Sequence, residues 1–224
     1  MTLELRPPIA PMEALPVEKI PAGPDWQYEP KWDGFRCLAF RDGDDVRLQS
    51  KAGKPLNRYF PEMVAAIGAL KARAFVLDGE LAVPADGSFS FDALLQRIHP
   101  AASRVKKLAA ETPAIFIAFD LLAGADGHSL MASPLQARRR RLDEFAHRYF
   151  PGHPSIRLSP TTQSIAQAAK WLKQAGPALD GIIAKRSDAA YAPGERTAMQ
   201  KIKNYRSADC VVGGFRYGAD GKAL

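Results

Sequence analysis

Cysteine is nearly missing from this chain: two thiols, Cys37 and Cys210, in 224 residues. Each lies in an apolar, strand-like run, so no disulfide framework is expected and a reducing cytoplasm fits. Histidine is also scarce, and His99, His128, His147 and His153 show no metal-ligand spacing, which argues against a zinc site. No uninterrupted apolar run approaches the roughly 20 residues that a membrane helix requires. The opening "TLELRPPIAPMEALP" is Pro-rich and has no apolar core of a signal peptide. Beyond that opening there is no low-complexity tract, and no internal repeat anywhere.

What remains is ordinary globular composition, 46% hydrophobic and 25% charged, long enough to bury a real core. The net charge of +7 favours a polyanionic partner, nucleic acid or nucleotide. Residues 1–25 read as an extended arm belonging to the domain, because their prolines oppose a helix. Branched and aromatic runs predict strands over 36–41, 46–50, 75–83, 114–122, 181–185, 199–203 and 210–218, with "DGDD" (42–45) as a hairpin turn. Helices are predicted over 61–70, 90–98 and 134–150, the last with Leu135, Leu142, Phe145 and Tyr149 on one face. A fourth, from Ser164 to Gly176, opens on a Ser164/Gln167 capping box. Strands and helices mix without strict alternation, so the fold class is α+β with largely antiparallel sheets.

The stretch "YEPKWDGFR" (28–36) sets Lys31 between Glu29 and Asp33, with a glycine and Arg36 following. A lysine is a nucleophile only when neutral, and an unperturbed one at pH 7 is protonated. Neighbouring cations or desolvation change that, as in catalytic lysines. The plain alternative is a solvated lysine on a turn. Five later blocks have bland readings of their own. In "VLDGELAV" (76–83), Glu80 fits a solvent-facing strand edge, and in "AFDLL" (118–122), Phe119 fits the core. Asp180-Gly181 in "DGIIAK" (180–185) fits a turn, and Lys201 and Lys203 in "YAPGERTAMQKIK" (191–203) fit an edge strand. The fifth is "SKAGKPLNRYFPE" (50–62). "RRRR" (138–141) points around most of a helix circumference, so it cannot form one tight anion site. It reads as a solvated face, with a DNA-backbone contact as the alternative.

Taken in order, the six blocks resemble motifs I to V of the covalent nucleotidyltransferases, which comprise DNA ligases, RNA ligases and messenger-RNA capping enzymes. "KWDGFR" matches motif I, Lys-x-Asp-Gly-x-Arg, at every fixed place. Three departures stand out: Lys51 where arginine is more usual, Asp180 for glutamate, and Met199 for tryptophan. The phrasing of blocks 50–62 and 191–203 is closest to ATP-dependent DNA ligases, particularly compact bacterial ones of the repair and end-joining type. RNA ligases and GTP-using capping guanylyltransferases are the enzyme alternatives. A catalytically silent nucleic-acid-binding module is the third.

The resemblance implies an ATP-grasp-like fold, with two largely antiparallel sheets flanked by helices and a nucleotide cleft between them. It implies that Lys31 attacks the α-phosphate of ATP, expels pyrophosphate and carries AMP as a phosphoramidate. Lys201 and Lys203 would neutralise the phosphate, and Asp33 would orient the motif I loop. Around the nucleotide, Glu29 would face adenine's amine, Arg36 would hold ribose or phosphate and Phe119 would stack on the base. Lys51 and Lys185 would also contact the nucleotide, Glu80 and Asp180 would meet ribose and Mg²⁺ or Mn²⁺, and Tyr191 and Arg196 would support the site. The implied partners are nicked double-stranded DNA and repair or end-joining proteins, in the nucleoid of a bacterial cytoplasm. A monomer without membrane attachment is expected. The domain would occupy 26–207, with 208–224 beginning an OB-fold domain cut at the junction.

Overall fold

The predicted strands collect into two sheets that face one another. The computed structural model describes residues 3–85, 87–174, 179–203, 211, 213 and 214. In chain order the elements are β1 (Leu15–Pro16), β2 (Trp26–Trp32), β3 (Phe35–Asp42), β4 (Asp45–Ser50), α1 (Pro61–Ala69) and β5 (Ala74–Ala82). There follow β6 (Pro84–Ala85), β7 (Ser88–Phe89), α2 (Phe91–Leu95), α3 (Ala102–Glu111) and β8 (Ile115–Ala123). Last come α4 (Leu135–Tyr149), β9 (Ile156–Leu158), α5 (Ile165–Lys173), β10 (Leu179–Arg186) and β11 (Met199–Lys203). Sheet one has the order β1-β11-β10-β2 and sheet two the order β4-β3-β5-β8-β9, while β6 and β7 pair alone. Among the described residues only β1/β11 and β8/β9 are parallel, so the largely antiparallel α+β expectation holds.

Alternation along the strands of sheet two explains the layering, since successive side chains point to opposite faces. Cys37 and Ala39 join Leu77 and Phe116 against Met63 and Ile67 of α1 and Leu142 and Phe145 of α4. Leu38, Phe40, Val76 and Leu122 face the other way and meet Leu3, Met12, Tyr191 and Met199. This second cluster joins the two sheets. On the far side of sheet one, Tyr28, Ile182, Ala184 and Ile202 pack against Ala168 of α5. Each large side chain so buried contributes about 1.5–3 kcal/mol.

The arm is extended, as its prolines require, and it ties the sheets together. Ile9 exchanges hydrogen bonds with the Gln49 side chain of β4 at 2.9 and 2.6 Å, whereas Leu15 and Pro16 pair with Gln200 and Lys201 of β11. Several predicted bounds shift. α2 is capped by Ser90, whose Oγ accepts from the Ala93 amide at 3.1 Å, but it stops at Leu95 rather than 98. α5 is capped by Ser164 as expected and ends at Lys173; Gly176 lies outside the described residues. β2, α3 and β9 were not anticipated, β2 because its central Pro30 and charged Glu29 and Lys31 obscure a strand pattern. The predicted strand at 210–218 and the OB-fold opening at 208–224 fall almost wholly outside the described residues.

The four arginines of α4 divide. Arg140 and Arg141 are exposed, as a solvated face requires. Arg138 and Arg139 are not: Arg138 is fully buried, its fork on both oxygens of Asp120 at 2.9 Å, with a further bond to the Ser133 carbonyl at 2.6 Å. Arg139 donates to the Ser159 carbonyl and to Asp143, both at 2.9 Å. A helix that packs on β8 turns two of any four consecutive residues inward, and here carboxylate and carbonyl acceptors await them. Among the described residues, no helix is long and apolar enough to cross a membrane.

Candidate functional site

Strand register sets the first half of the site. Across β2, β10 and β11, Lys31 pairs with Gly181 and Gly181 with Lys203. Two residues along, Glu29 pairs with Ile183 and Ile183 with Lys201; two further, Gln27 pairs with Lys185 and Lys185 with Met199. Because alternate residues share a face, these nine positions form three rows on the side of sheet one that faces sheet two. Gly181 holds its place for steric reasons: its φ is +142°, and a Cβ there would collide with the Ile202 carbonyl oxygen. Just before it the β10/β2 register slips between Leu179 and Gly181, leaving Asp180 as the extra residue of a bulge. The bulge turns the Asp180 carboxylate to the lysines, with Oδ2 2.6 Å from Lys31 Nζ and 2.8 Å from Lys203 Nζ. Burial pushes the Asp180 carboxyl up, but hydrogen bonds from Lys203 and Lys31 outweigh it and hold it below its usual range.

The contact between the second and third rows is dry. Lys185 and Glu29 form an ion pair at 2.8 Å with side chains only 4% and 3% exposed, so each charge depends on the other. Gln27 Nε2 donates to the second Glu29 oxygen at 2.9 Å. From sheet two, the Phe119 ring meets two cations, Lys185 Nζ and the Arg36 guanidinium carbon, each 4.6 Å from its centroid.

Sheet two supplies the opposite wall. Arg36 and Glu80 are register partners on β3 and β5. Arg36 grips Asp78 with both arms of its fork, at 2.5 and 2.6 Å. Tyr191 donates to the same carboxylate at 2.7 Å and accepts from the Met12 amide at 3.0 Å. Burial alone would lower the Arg36 guanidinium's pKa; the Asp78 charge reverses this and keeps it well above the ordinary value. Glu80 is left without a hydrogen bond or ion pair among the described residues. Burial pushes its carboxyl up to about 8, against the pull of Arg36 and Lys31. Gly34, at the β2–β3 turn, lies so close that a Cβ would meet the Leu81 carbonyl and the Glu80 Cγ.

At the mouth, Glu13 of the arm pairs with Lys51 at 3.3 Å and Arg196 at 2.8 Å. The Lys201 ammonium has no ion-pair partner among the described residues. Burial, then the charges of Lys203, Lys31, Lys51 and Arg196, lower its pKa.

The structure thus gathers Glu29, Lys31, Arg36, Lys51, Glu80, Phe119, Lys185 and Lys201 around one cleft between the sheets. Asp180 and Lys203 join it through Lys31. Asp33 stands outside the lining of this cleft: its side chain makes no hydrogen bond among the described residues, though its charge acts on Glu80, and Gly34 beside it is required sterically at the turn. Among the described residues no three His, Cys, Asp or Glu side chains converge as a metal cage. Asp78, Gln27 and Glu13 were missed. Asp78 had a signal, since it stands two residues before Glu80 and so shares its face of the strand.

A family model described as the ATP dependent DNA ligase domain matches residues 11–203. The chain belongs to the ATP-dependent DNA ligase family. This ligase domain is 48% identical over 231 residues to DNA ligase C1 of Mycolicibacterium smegmatis, a match spanning 100% of the chain and 64% of that protein. It is 33% identical over 201 residues to the multifunctional non-homologous end joining DNA repair protein LigD of Mycobacterium tuberculosis, over 88% of the chain and 24% of that protein. Among solved structures, a mycobacterial DNA ligase D complexed with ATP and MES superposes with a TM-score of 0.66 at 29% identity, over 88% of this chain and 61% of that one. The ligase domain therefore spans less than two thirds of each of these relatives. The matches set it with DNA ligases rather than with RNA ligases or capping enzymes.

Proposed function

We propose that this ligase domain activates ATP on Lys31 and passes AMP to the 5′-phosphate of a nick in duplex DNA, where the 3′-hydroxyl displaces it. The observation that carries this reading is the row Lys31–Gly181–Lys203 with Asp180 bridging the two ammoniums. In the first step the Lys31 ammonium loses a proton to solvent to become the neutral amine; its nitrogen then forms a bond to the α-phosphorus, the bond to pyrophosphate breaks, and a second proton passes from the nitrogen to solvent or the departing pyrophosphate. Lys31 must first leave Asp180. Lys203 stays on the same oxygen, so the carboxylate is not orphaned when Lys31 turns to the nucleotide. Lys201 and Lys203 then face the phosphate charge across a partly dry cleft, where Coulomb attraction is less screened than in water.

The nucleotide's other end fits the dry Glu29–Lys185 pair, with Glu29 facing the adenine amine, Lys185 the ring and Phe119 beneath. Asp78 occupies two arms of the Arg36 fork, so Arg36 would reach ribose or phosphate with its remaining nitrogen. Lys51 and Arg196 would take up outer phosphates in exchange for Glu13. Glu80, a hard oxygen donor with no other partner among the described residues, and Asp180 fit a divalent cation bound through one or two carboxylates, water and phosphate. Mg²⁺ or Mn²⁺ held there would neutralise phosphate charge. The +7 charge suits duplex backbone. A relative named for end joining and DNA repair supports partner proteins of that kind; the bacterial nucleoid as the setting and a C-terminal OB-fold domain completing the enzyme follow from the family resemblance of the motifs.

An intact-mass spectrum tests the reading. The purified protein should carry or acquire one AMP, and pyrophosphate should strip it. Label should come from α-³²P-ATP and not from α-³²P-GTP; a GTP-only adduct would refute the ligase reading. Lys31→Ala should abolish the adduct and leave the thermal melt unchanged.

A further inference from the structure

Glu29 and Lys185 line the cleft, whereas Gln27 stands behind them and does not. We infer that Gln27 is a positioning residue for base selection, holding the Glu29 carboxylate in the one orientation that accepts from an exocyclic amine. This rests on the proposal that Glu29 faces adenine. Gln27, Glu29 and Lys185 are 8%, 2% and 3% exposed, so the carboxylate is oriented by protein donors. Each Glu29 oxygen has one fixed donor: Oε1 takes the Gln27 amide at 2.9 Å, and Oε2 the Lys185 ammonium at 2.8 Å. A carboxylate offers about four lone-pair sites, so both oxygens keep capacity for a ligand.

The terminal torsion of a glutamate is broad and is not fixed by its own rotamer preferences. Two donors on two oxygens fix it. Gln27 and Lys185 are direct register partners on β2 and β10, so they approach the carboxylate from neighbouring strands. With Lys185 alone the plane is free to turn about that single contact. Orientation matters because adenine presents an amine where guanine presents a carbonyl oxygen, which a carboxylate repels. Gln27 thereby sets how sharply the site distinguishes the two bases.

Calorimetric binding of ATP, GTP and purine riboside 5′-triphosphate, which lacks the exocyclic group, separates the possibilities. Wild-type protein should prefer ATP to purine riboside triphosphate by at least about tenfold, the worth of a hydrogen bond to a charged group. Gln27→Met, close in shape but without the donor, should shrink that ratio to within about threefold while binding purine riboside triphosphate as before. An unchanged ratio, or equal loss for both nucleotides, overturns the positioning role. Wild-type protein that shows no preference for ATP overturns the Glu29 reading itself and the inference with it. Gln27→Glu gives a second readout should the Met variant not fold. Two adjacent carboxyls share a proton in acid, so preference for ATP should return near about pH 5 and vanish near about pH 8. A pH-independent preference in that variant counts against the inference.

Discussion

Asp78 is wholly buried, with both oxygens engaged by Arg36 and one also by Tyr191. Asp78→Asn leaves the guanidinium without its counter-charge and should cost about 3–5 kcal/mol in urea melts. Tyr191→Phe removes one hydrogen bond and should cost about 1 kcal/mol. If both cost the same, the fork is not what anchors this wall. The contrast also shows what was readable residue by residue. Lys31, Glu29, Arg36 and Glu80 announce themselves because their neighbours in sequence form a recognisable pattern. Asp78 acts through Arg36 on another strand, and no local pattern records that pairing. Gln27 bonds Glu29 on its own strand, but the carboxylate's second partner, Lys185, comes from β10 and leaves no trace nearby in the sequence.

In α4, identical residues have different fates. Arg138→Ala should lose several kcal/mol, since it strands Asp120 in the core. Arg140→Ala should stay within about 0.5 kcal/mol, as exposed substitutions do. Equal effects in thermal denaturation would mean that the Arg138–Asp120 pair does not operate. Helical periodicity identified the apolar face with Leu135 and Leu142, but it cannot show that Asp120 waits beside that face. The bulge in β10 is another feature of the element and not of its composition. Gly181→Ala should fail to fold stably or lose the Lys31–Asp180 contact, which an upward shift of Asp180 in a carboxyl-detected NMR titration would reveal. "DGIIAK" reads as a turn and strand; that the aspartate is supernumerary becomes visible only once β2 lies alongside.

At the scale of the molecule the arm is the joint between the sheets. Near its start Glu4 accepts from the Ser129 amide and lies 2.7 Å from His128 Nδ1. The Ser129 amide, then His128, hold Glu4 below its ordinary 4.5, and Glu4 holds His128 above its ordinary 6.5. The contribution of Glu4 is complete above 4.5 and lost as pH falls through its lowered value. That of His128 is complete below 6.5 and lost as pH rises through its raised value. The clasp is therefore fullest between those two values. Glu4→Gln should return the NMR midpoint of His128 toward its ordinary range, and an unmoved midpoint would exclude the pairing. Long-range charge makes a separate forecast. Affinity for nicked duplex should fall linearly with salt on logarithmic axes, and a salt-independent affinity would deny the backbone a part. The α+β class was legible in the strand runs and the cleft in the motif order. The arm's bridging role was not, because prolines forbid a helix without saying what an extended chain will touch.

Sheet one is assembled from the two ends of the described chain, with β1 and β2 early and β10 and β11 late. A ribosome releases residues in order, at about 5–20 each second. Every strand of sheet two, from β3 to β9, emerges before β2 acquires its neighbour β10. Lys31 is thus synthesised early and waits, and Asp180, Lys201 and Lys203 reach it only as the last strands dock. A half-made chain carries Lys31 without the carboxylate and ammonium groups that surround it in the finished cleft.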